Sequence, residues 1–225
     1  MSEVGKMAAS EKAVDLIESG MIVGLGSGTT AAKFIQFLIQ KAKEGLRIQA
    51  VASSRTSWEL ATRGGIEVLD INSVPRIDLT VDGADEIDSL KRMIKGGGGA
   101  HVREKILASS SNEMVVIIDE SKRVRQIGTK KLPIEVLFFG SPATRAKIEN
   151  LGYSGRWRLN ADETFYVTEN GNLLFDLSFD RPPEVPEALH DLLIHIPGVV
   201  DTGFFFNLAG RVIIGHEDGR VTVVS

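Results

Sequence analysis

Through the first half of the chain, short runs of apolar and β-branched residues alternate with longer stretches whose apolar positions repeat at helical spacing. Residues 21–25 predict a strand, and 31–42 predict a helix with Phe34, Ile35, Phe37 and Leu38 on one side. Further strands are expected at 47–52, 66–69, 77–81 and 114–119, with helices at 57–63 and 100–109 between them. This alternation predicts a parallel sheet with helices on both faces. Around residues 127–133 the texture changes. Residues 134–139 predict a strand and 142–151 a helix. Asn170-Gly171, set between alternating apolar residues (Phe165 and Val167, then Leu173 and Phe175), predicts a hairpin. Pro182 and Pro183 introduce a helix over 186–195, and a strand near Val199 completes an order that fits a small α+β domain of the split βαβ kind. The tail, with strands at 204–207, 212–215 and 221–224, is expected to return to the first sheet. The expected division is 1–128 with 204–225 as a large domain, and 129–203 as a smaller inserted one.

Composition narrows the function classes. The 26 Lys and Arg against 30 Asp and Glu give a net charge of −4, so the chain lacks the clustered positive charge that nucleic acid or an anionic membrane would need. No apolar run approaches the roughly 18–20 residues of a bilayer span; 114–118 is among the longest. The opening residues carry an acid, Glu3, where a signal peptide carries base. A cytoplasmic enzyme or binding protein is therefore expected. The absence of cysteine removes disulfides, thiolate metal sites and cysteine nucleophiles together. His101, His190, His195 and His216 show no metal-ligand spacing.

Three motifs carry candidate chemistry. Gly24-Leu25-Gly26-Ser27-Gly28-Thr29-Thr30 ends a strand and opens a helix. Free N–H groups and a partial positive charge at a helix start suit phosphate. The dinucleotide fingerprint fails when read from Gly24, because its third glycine falls at Thr29; from Gly26 it is met only in the weaker form, with Ala31 last. Ala52, Ser53 and Ser54 stand where an acidic ribose partner would end the second strand, and no Gly-Lys-Ser/Thr makes a P-loop. The pattern favours a monophosphate; the plainer alternative is a tight turn that only packs helix on strand. Asp82-Gly83-Ala84-Asp85-Glu86 follows the strand at 77–81, where the carboxyl ends of a parallel sheet line a ligand crevice. Three neighbouring acids repel one another unless something cationic or hydroxylic faces them. They suit a Mg²⁺ site, a set of sugar-hydroxyl acceptors, or a solvated turn. Lys95-Gly96-Gly97-Gly98-Gly99-Ala100 precedes the helix that carries Glu104. Four consecutive glycines are entropically costly to order, so they fit a backbone that hugs a ligand or offers N–H groups to an oxyanion better than a passive linker. Together these parts suit proton transfer on a small phosphorylated carbohydrate, with a carboxylate as base and a cation or N–H donors at the enediolate oxygen.

The three motifs in this order, with Arg103-Glu104-Lys105 and, nearer the C-terminus, Ile196-Pro197-Gly198-Val199-Val200, closely resemble the type A ribose-5-phosphate isomerase family over the full length. The resemblance implies a Rossmann-like large domain, a ferredoxin-like α+β small domain and a homodimer or homotetramer. It implies a metal-independent interconversion of ribose 5-phosphate and ribulose 5-phosphate in the pentose phosphate pathway, with no cofactor. It also assigns roles: Glu104 matches the base that moves the proton between C2 and C1, and Lys95 the lysine at the enediolate. Asp82 and Asp85 match acids that hold sugar oxygens, one assisting ring opening. Ser27, Gly28, Thr29 and Thr30 match the phosphate loop, Gly96, Gly97 and Gly98 the loop at the substrate, Lys122 a substrate-side lysine and Lys6 an N-terminal phosphate contact.

Other residues are given plainer expectations. Trp58 and Trp157 are expected in the core or an interface, Phe204-Phe205-Phe206 in the core, and Lys130-Lys131 in an exposed turn. Ser54 and Ser57 either touch substrate or cap the next helix; among the histidines, His101 adjoins the glycine loop. A sugar-phosphate sensor with a DNA-binding helix-turn-helix is disfavoured because the first strand already begins near Met21. An amino-sugar phosphate deaminase or a CoA-transferase on a similar scaffold is disfavoured by the glycine loop followed by Glu104.

Overall fold

The computed structural model describes residues 2–225. In chain order the elements are α1 (Glu3–Val14), β1 (Ile22–Leu25), α2 (Gly28–Lys43), β2 (Gln49–Ala52), α3 (Arg55–Arg63), β3 (Glu67–Val68) and β4 (Ile77–Asp82). There follow β5 (Glu86–Ile87), β6 (Met93–Ile94), α4 (His101–Ser109), β7 (Ser111–Asp119), β8 (Leu132–Val136), α5 (Ser141–Glu149), β9 (Ser154–Trp157) and β10 (Leu173–Ser178). The last are α6 (Pro186–Ile194), β11 (Val199–Thr202), β12 (Phe204–Phe205), β13 (Ala209–Gly215) and β14 (Val221–Val224). No described helix is long and apolar enough to cross a membrane. The chain divides into two compact units: the segment before Asp85 with Arg103–Lys122 and Asn207–Ser225, and Asp85–Val102 with Arg123–Phe206.

The first unit is a seven-stranded sheet in the order β14-β13-β7-β4-β1-β2-β3, parallel throughout except for the antiparallel edge strand β14. Strand β7 is apolar without a break from Met114 to Ile118, all of them buried, because both faces of the sheet are covered there. Phe34, Ile35 and Leu38 of α2 pack with Val23, Leu25, Val115, Ile117 and Ile213 in one core, as the helical spacing predicts. The order reverses between β1 and β4, so this is the doubly wound arrangement with its crevice at the carboxyl ends of those two strands.

The second unit holds a four-stranded antiparallel sheet in the order β11-β8-β10-β9. With α5 and α6 it follows the split βαβ order expected from the sequence, and Ile148, Leu189 and Leu193 of those helices share a core with Ile134, Phe175 and Leu177. A second, three-stranded sheet in the order β12-β6-β5 was not anticipated. It explains why residues 85–102, 123–128 and 204–206 group with the second unit and not, as expected, with the first. Ile94 and Ile127 are part of the second unit's core, Phe204 pairs with Ile94, and the Val124 N–H bonds the Ile87 carbonyl at 2.9 Å. The strand expected at 134–139 is narrower: Leu137, Phe138 and Phe139 are exposed. The Asn170-Gly171 turn is present, but Val167 meets Leu173 only as an isolated bridge, and β10 takes β9 and β8 as its neighbours. Glu135, wholly buried on β8, fixes that turn: its Oε1 accepts from the Thr168 hydroxyl (3.1 Å) and the Asn170 and Asn172 amides (3.0 and 2.8 Å).

Helix α1 has no large apolar stripe; its buried positions are Gly5, Lys6, Ala9, Ser10, Ala13 and Val14. Small residues let its backbone lie directly on the sheet edge, and a Cβ built on Gly215 of β13 would stand 1.8 Å from the Gly5 carbonyl oxygen. The close approach demands glycine at both positions. Gly215→Ala is expected to lower the unfolding free energy by about 1–3 kcal/mol through overpacking, read as a lower denaturant midpoint with an unchanged m-value.

Candidate active site

The β1/β4 switch point brings two of the sequence motifs together within the first unit. After β1 the chain turns at Gly26 and enters α2 at Gly28, whose φ of +85° is a conformation glycine adopts without strain. Asp82 at the end of β4 is 1% exposed. Its Oδ1 accepts the Ser27 N–H at 3.0 Å and the Gly83 N–H at 2.7 Å. A Cβ on Gly26 would fall 2.1 Å from Asp82 Cγ, which is why this turn carries glycine there. Ser57 donates to the Gly26 carbonyl at 2.6 Å, and the Ser27 and Ser53 hydroxyls are bonded at 2.7 Å. The turn is thus held from three sides. The first N–H groups of α2, from Gly28 through Thr30, lack acceptors within their own helix and carry its positive end, an arrangement suited to an anion. Ser54 caps α3 by accepting the Ser57 N–H at 3.2 Å, so of the two readings for Ser54 and Ser57 the structure displays capping and loop support.

Two lysines are placed beside this helix start. Ser10 of α1 donates to the Thr30 carbonyl at 3.0 Å, and Lys6 lies one turn before it. Lys6 is 4% exposed; its Nζ is 2.9 Å from Glu3 Oε1, while Lys33 of α2 is 2.9 Å from Glu3 Oε2. The hydrogen bond from Lys6, then that from Lys33, holds the Glu3 carboxyl down at about 2, well below its usual 4.5. Glu104, in the first turn of α4, is 4% exposed. Lys122 ends the short 3₁₀ turn Glu120–Lys122 that follows β7, at the same carboxyl edge of the sheet as Asp82. Asp119, the last residue of β7, is 1% exposed and accepts the Ser121 N–H at 3.2 Å and its hydroxyl. Its burial at that edge was not apparent from the sequence.

The second unit contains Asp85, Lys95 and the glycine loop. Three of the four glycines of the loop have a local reason. Gly96 and Gly99 have φ of +95° and +85°; at Gly97 a Cβ would stand 2.8 Å from Asp85 Oδ1, and at Gly99 one would stand 2.5 Å from the Tyr166 hydroxyl. Gly98 has open space around its Cα. Asp85 Oδ2 accepts the Gly97 N–H at 2.7 Å. Lys95 is 3% exposed, its N–H bonds the Gly203 carbonyl at 2.8 Å, and its Nζ sits 5.4 Å from the centre of the Phe205 ring. Glu86, the third acid of its motif, is wholly buried and takes the Gly128 and Thr129 N–H groups at 2.7 and 3.2 Å. The three acids are accommodated by backbone amides, a partner class the sequence reading had not considered. A cavity of about 420 Å³ beside the loop is lined by Asp85, Gly97, Thr129, Lys130, Arg158 and Asp176. Lys130, in its exposed turn, reaches the Asp85 carbonyl at 3.0 Å.

Arg158, Tyr166 and Asp176 were missed altogether. Arg158 and Tyr166 lie more than 60 residues from the glycines they touch, Asp176 bonds Arg158, and none of the three stands in a local motif. Trp58 is 47% exposed on α3 and belongs to no core, whereas Trp157 packs edge-on to Phe175 at 5.4 Å. Phe204 and Phe205 are buried, with Phe206 stacked on Phe204. The histidines are dispersed: His101 lies 3.4 Å from the Asp201 carbonyl, His190 2.8 Å from the Thr202 hydroxyl, His195 bonds the Asp191 carbonyl and His216 pairs with Glu120. Among the described residues no group of three or more His, Asp or Glu is placed to hold a metal ion.

Comparison with known proteins places these motifs in a family. The family model of ribose 5-phosphate isomerase A (phosphoriboisomerase A) matches residues 49–219. The ribose-5-phosphate isomerase A of Protochlamydia amoebophila is 46% identical over 220 residues, covering 98% of this chain and 95% of that one. The solved ribose 5-phosphate isomerase from Plasmodium falciparum superposes with a TM-score of 0.93 at 33% identity, covering 100% of this chain and 99% of the other. A solved D-ribose-5-phosphate isomerase in complex with phospho-erythronic acid gives 0.93 at 32% identity, covering 98% and 97%.

The Glu3 pairing makes a pH-dependent prediction. A carboxyl whose value is lower in the folded state contributes stability above its unfolded value and loses it as pH falls. Glu3→Gln is therefore expected to lower the melting temperature slightly at pH 7. The gap to wild type should close as pH drops from about 4.5 toward about 2. A gap constant across that range in thermal melts would exclude the pairing.

Proposed function

The chain belongs to the ribose 5-phosphate isomerase A family, and from that premise we propose that it interconverts ribose 5-phosphate and ribulose 5-phosphate through an enediolate, without a metal ion, in the pentose phosphate pathway. The observation that carries this reading is the anion-suited start of α2 lying against Asp82 at the β1/β4 switch point. A phosphate at Gly28, Thr29 and Thr30, with Lys6 beside them, would anchor the substrate at the end remote from the reacting carbons and supply orientation. The phospho-erythronic acid bound by a solved relative supports the class of ligand, a short phosphorylated sugar acid. Asp82 and Asp85 would hold sugar hydroxyls, with one of them assisting ring opening. Glu104 would take the proton from C2 of the open-chain aldose and return it to C1. Lys95 and the loop of Gly96, Gly97 and Gly98 would stabilise the negative charge on the intermediate's oxygen. Lys122 would add positive charge on the substrate side.

The same reading includes a cytoplasmic homodimer or homotetramer. The exposed Leu137-Phe138-Phe139 run, with Phe139 92% exposed, supports an apolar surface covered by a second copy.

The decisive assay follows ribose 5-phosphate conversion with EDTA present, for wild type and Glu104→Gln. Turnover of the wild type should persist, and that of the variant should fall by at least about 10²-fold while substrate still binds. Equal turnover in both would remove Glu104 as the base. At the phosphate loop, Thr29→Glu should chiefly raise KM through charge repulsion, and an unaltered KM would relocate the phosphate.

A further inference from the structure

The glycine loop is held by its carbonyl oxygens. Arg158 Nη1 donates to the Gly96 carbonyl at 3.1 Å and to the Gly97 carbonyl at 3.0 Å. Its remaining nitrogens grip Asp176, with Nε at 2.9 Å from Oδ2 and Nη2 at 2.5 Å from Oδ1. The Tyr166 hydroxyl donates to the Gly98 carbonyl at 3.2 Å, and the Arg158 guanidinium lies 5.8 Å from the Tyr166 ring centre. All three side chains come from β10 and the segment that leads into it, and the Arg158 and Asp176 side chains are only 17% and 14% exposed. A bidentate guanidinium–carboxylate pair of this kind is geometrically rigid.

Fixing a carbonyl fixes the amide behind it, because the peptide unit is planar and its C=O and N–H point in opposite directions. With the Gly96 carbonyl on Arg158, the Gly97 N–H is turned to Asp85. With the Gly98 carbonyl on Tyr166, the Gly99 N–H closes on the Gly96 carbonyl at 2.9 Å. The unit between them has its Gly97 carbonyl on Arg158, so the Gly98 N–H points the other way, and it meets no acceptor among the described residues. Gly98 is also the one glycine of the four whose φ is not left-handed and whose missing Cβ would meet nothing within 4 Å. Neither backbone strain nor a neighbour in the chain requires glycine there; a ligand lying against the backbone would.

We propose that Arg158, locked by Asp176, is a positioning residue that aims the Gly98 N–H at the enediolate oxygen. The proposal deepens the isomerase reading and rests on it. A donor aimed before the charge develops stabilises the intermediate more than the substrate, so its misdirection is read in kcat and not in KM.

The test compares wild type with Arg158→Lys, with the pair Arg158→Gln and Asp176→Asn made together, and with Tyr166→Phe. Arg158→Lys keeps the charge against Asp176 and hence the fold, but one ammonium group cannot span two carbonyls and a carboxylate. The expected result is a fall in kcat of about tenfold for Arg158→Lys and about 10²-fold for the double change, with KM within about twofold of wild type. Affinity for a phosphorylated aldonate, whose carboxylate mimics the enediolate, should fall in step with kcat. Tyr166→Phe, which removes one surface hydroxyl, should lose a few-fold in kcat and melt as wild type does. Wild-type kcat in Arg158→Lys, or a loss expressed in KM alone, would overturn the proposal even where the isomerase assay of the wild type succeeds. A wild type that does not convert ribose 5-phosphate would instead overturn the reading beneath it.

Discussion

A carboxylate that accepts two backbone N–H groups at the end of a buried strand organises the carboxyl edge of the first unit's sheet. Asp82 joins the turn after β1 to the turn after β4, and through Ser27 it fixes where α2 begins. Its burial is tolerable because charge-assisted hydrogen bonds from amides replace lost hydration. The glycine at position 26 is required by the carboxylate and not by the helix, so a residue that looked like part of a phosphate fingerprint has its first explanation inside the fold. The helix start, with its unsatisfied N–H groups, is then presented at a fixed place on the sheet edge.

The same device recurs through the acidic motif. Asp85 takes an amide of the glycine loop, and Glu86 takes two amides of the chain at Gly128 and Thr129. Each acid of the motif anchors a different loop, which answers how three carboxylates stand so close in sequence: they point to separate amide partners. Glu135 does a related task with side-chain donors on the far hairpin. In this protein buried acids serve as fasteners for irregular backbone, the part of a fold that cannot satisfy its own hydrogen bonds.

Much of the large sheet was legible because parallel strands buried on both faces are continuous apolar runs, as at Met114 to Ile118, and because Phe34, Ile35 and Leu38 repeat at helical spacing. The split βαβ order of the second unit was equally readable from Asn170-Gly171 and the paired prolines. Helix α1 was not, because its buried face is built from Gly5, Ala9, Ser10 and Ala13, which give no hydrophobic period. The strands β5 and β6 are two residues each, too short for any pattern to mark, and their attachment moved the unit boundary. At the candidate site, the motifs mark only residues that are neighbours in sequence. Arg158, Tyr166 and Asp176 were invisible because their relation to the loop exists only after β10 and the preceding segment have folded beside it.

The backbone contact between Gly5 and Gly215 has a consequence for biosynthesis. Strand β13 pairs with β7 only after residues 123–206 have been made, and β13 completes a surface for α1 that α2 and β7 begin. During translation the earliest helix therefore lacks part of its seat until one of the last strands is made, and the apolar edge of β7 stays unpaired on the ribosome for the whole of that interval. A nascent chain stalled before Ala209 would present that edge to chaperones, or to another nascent copy, in place of its own final partner.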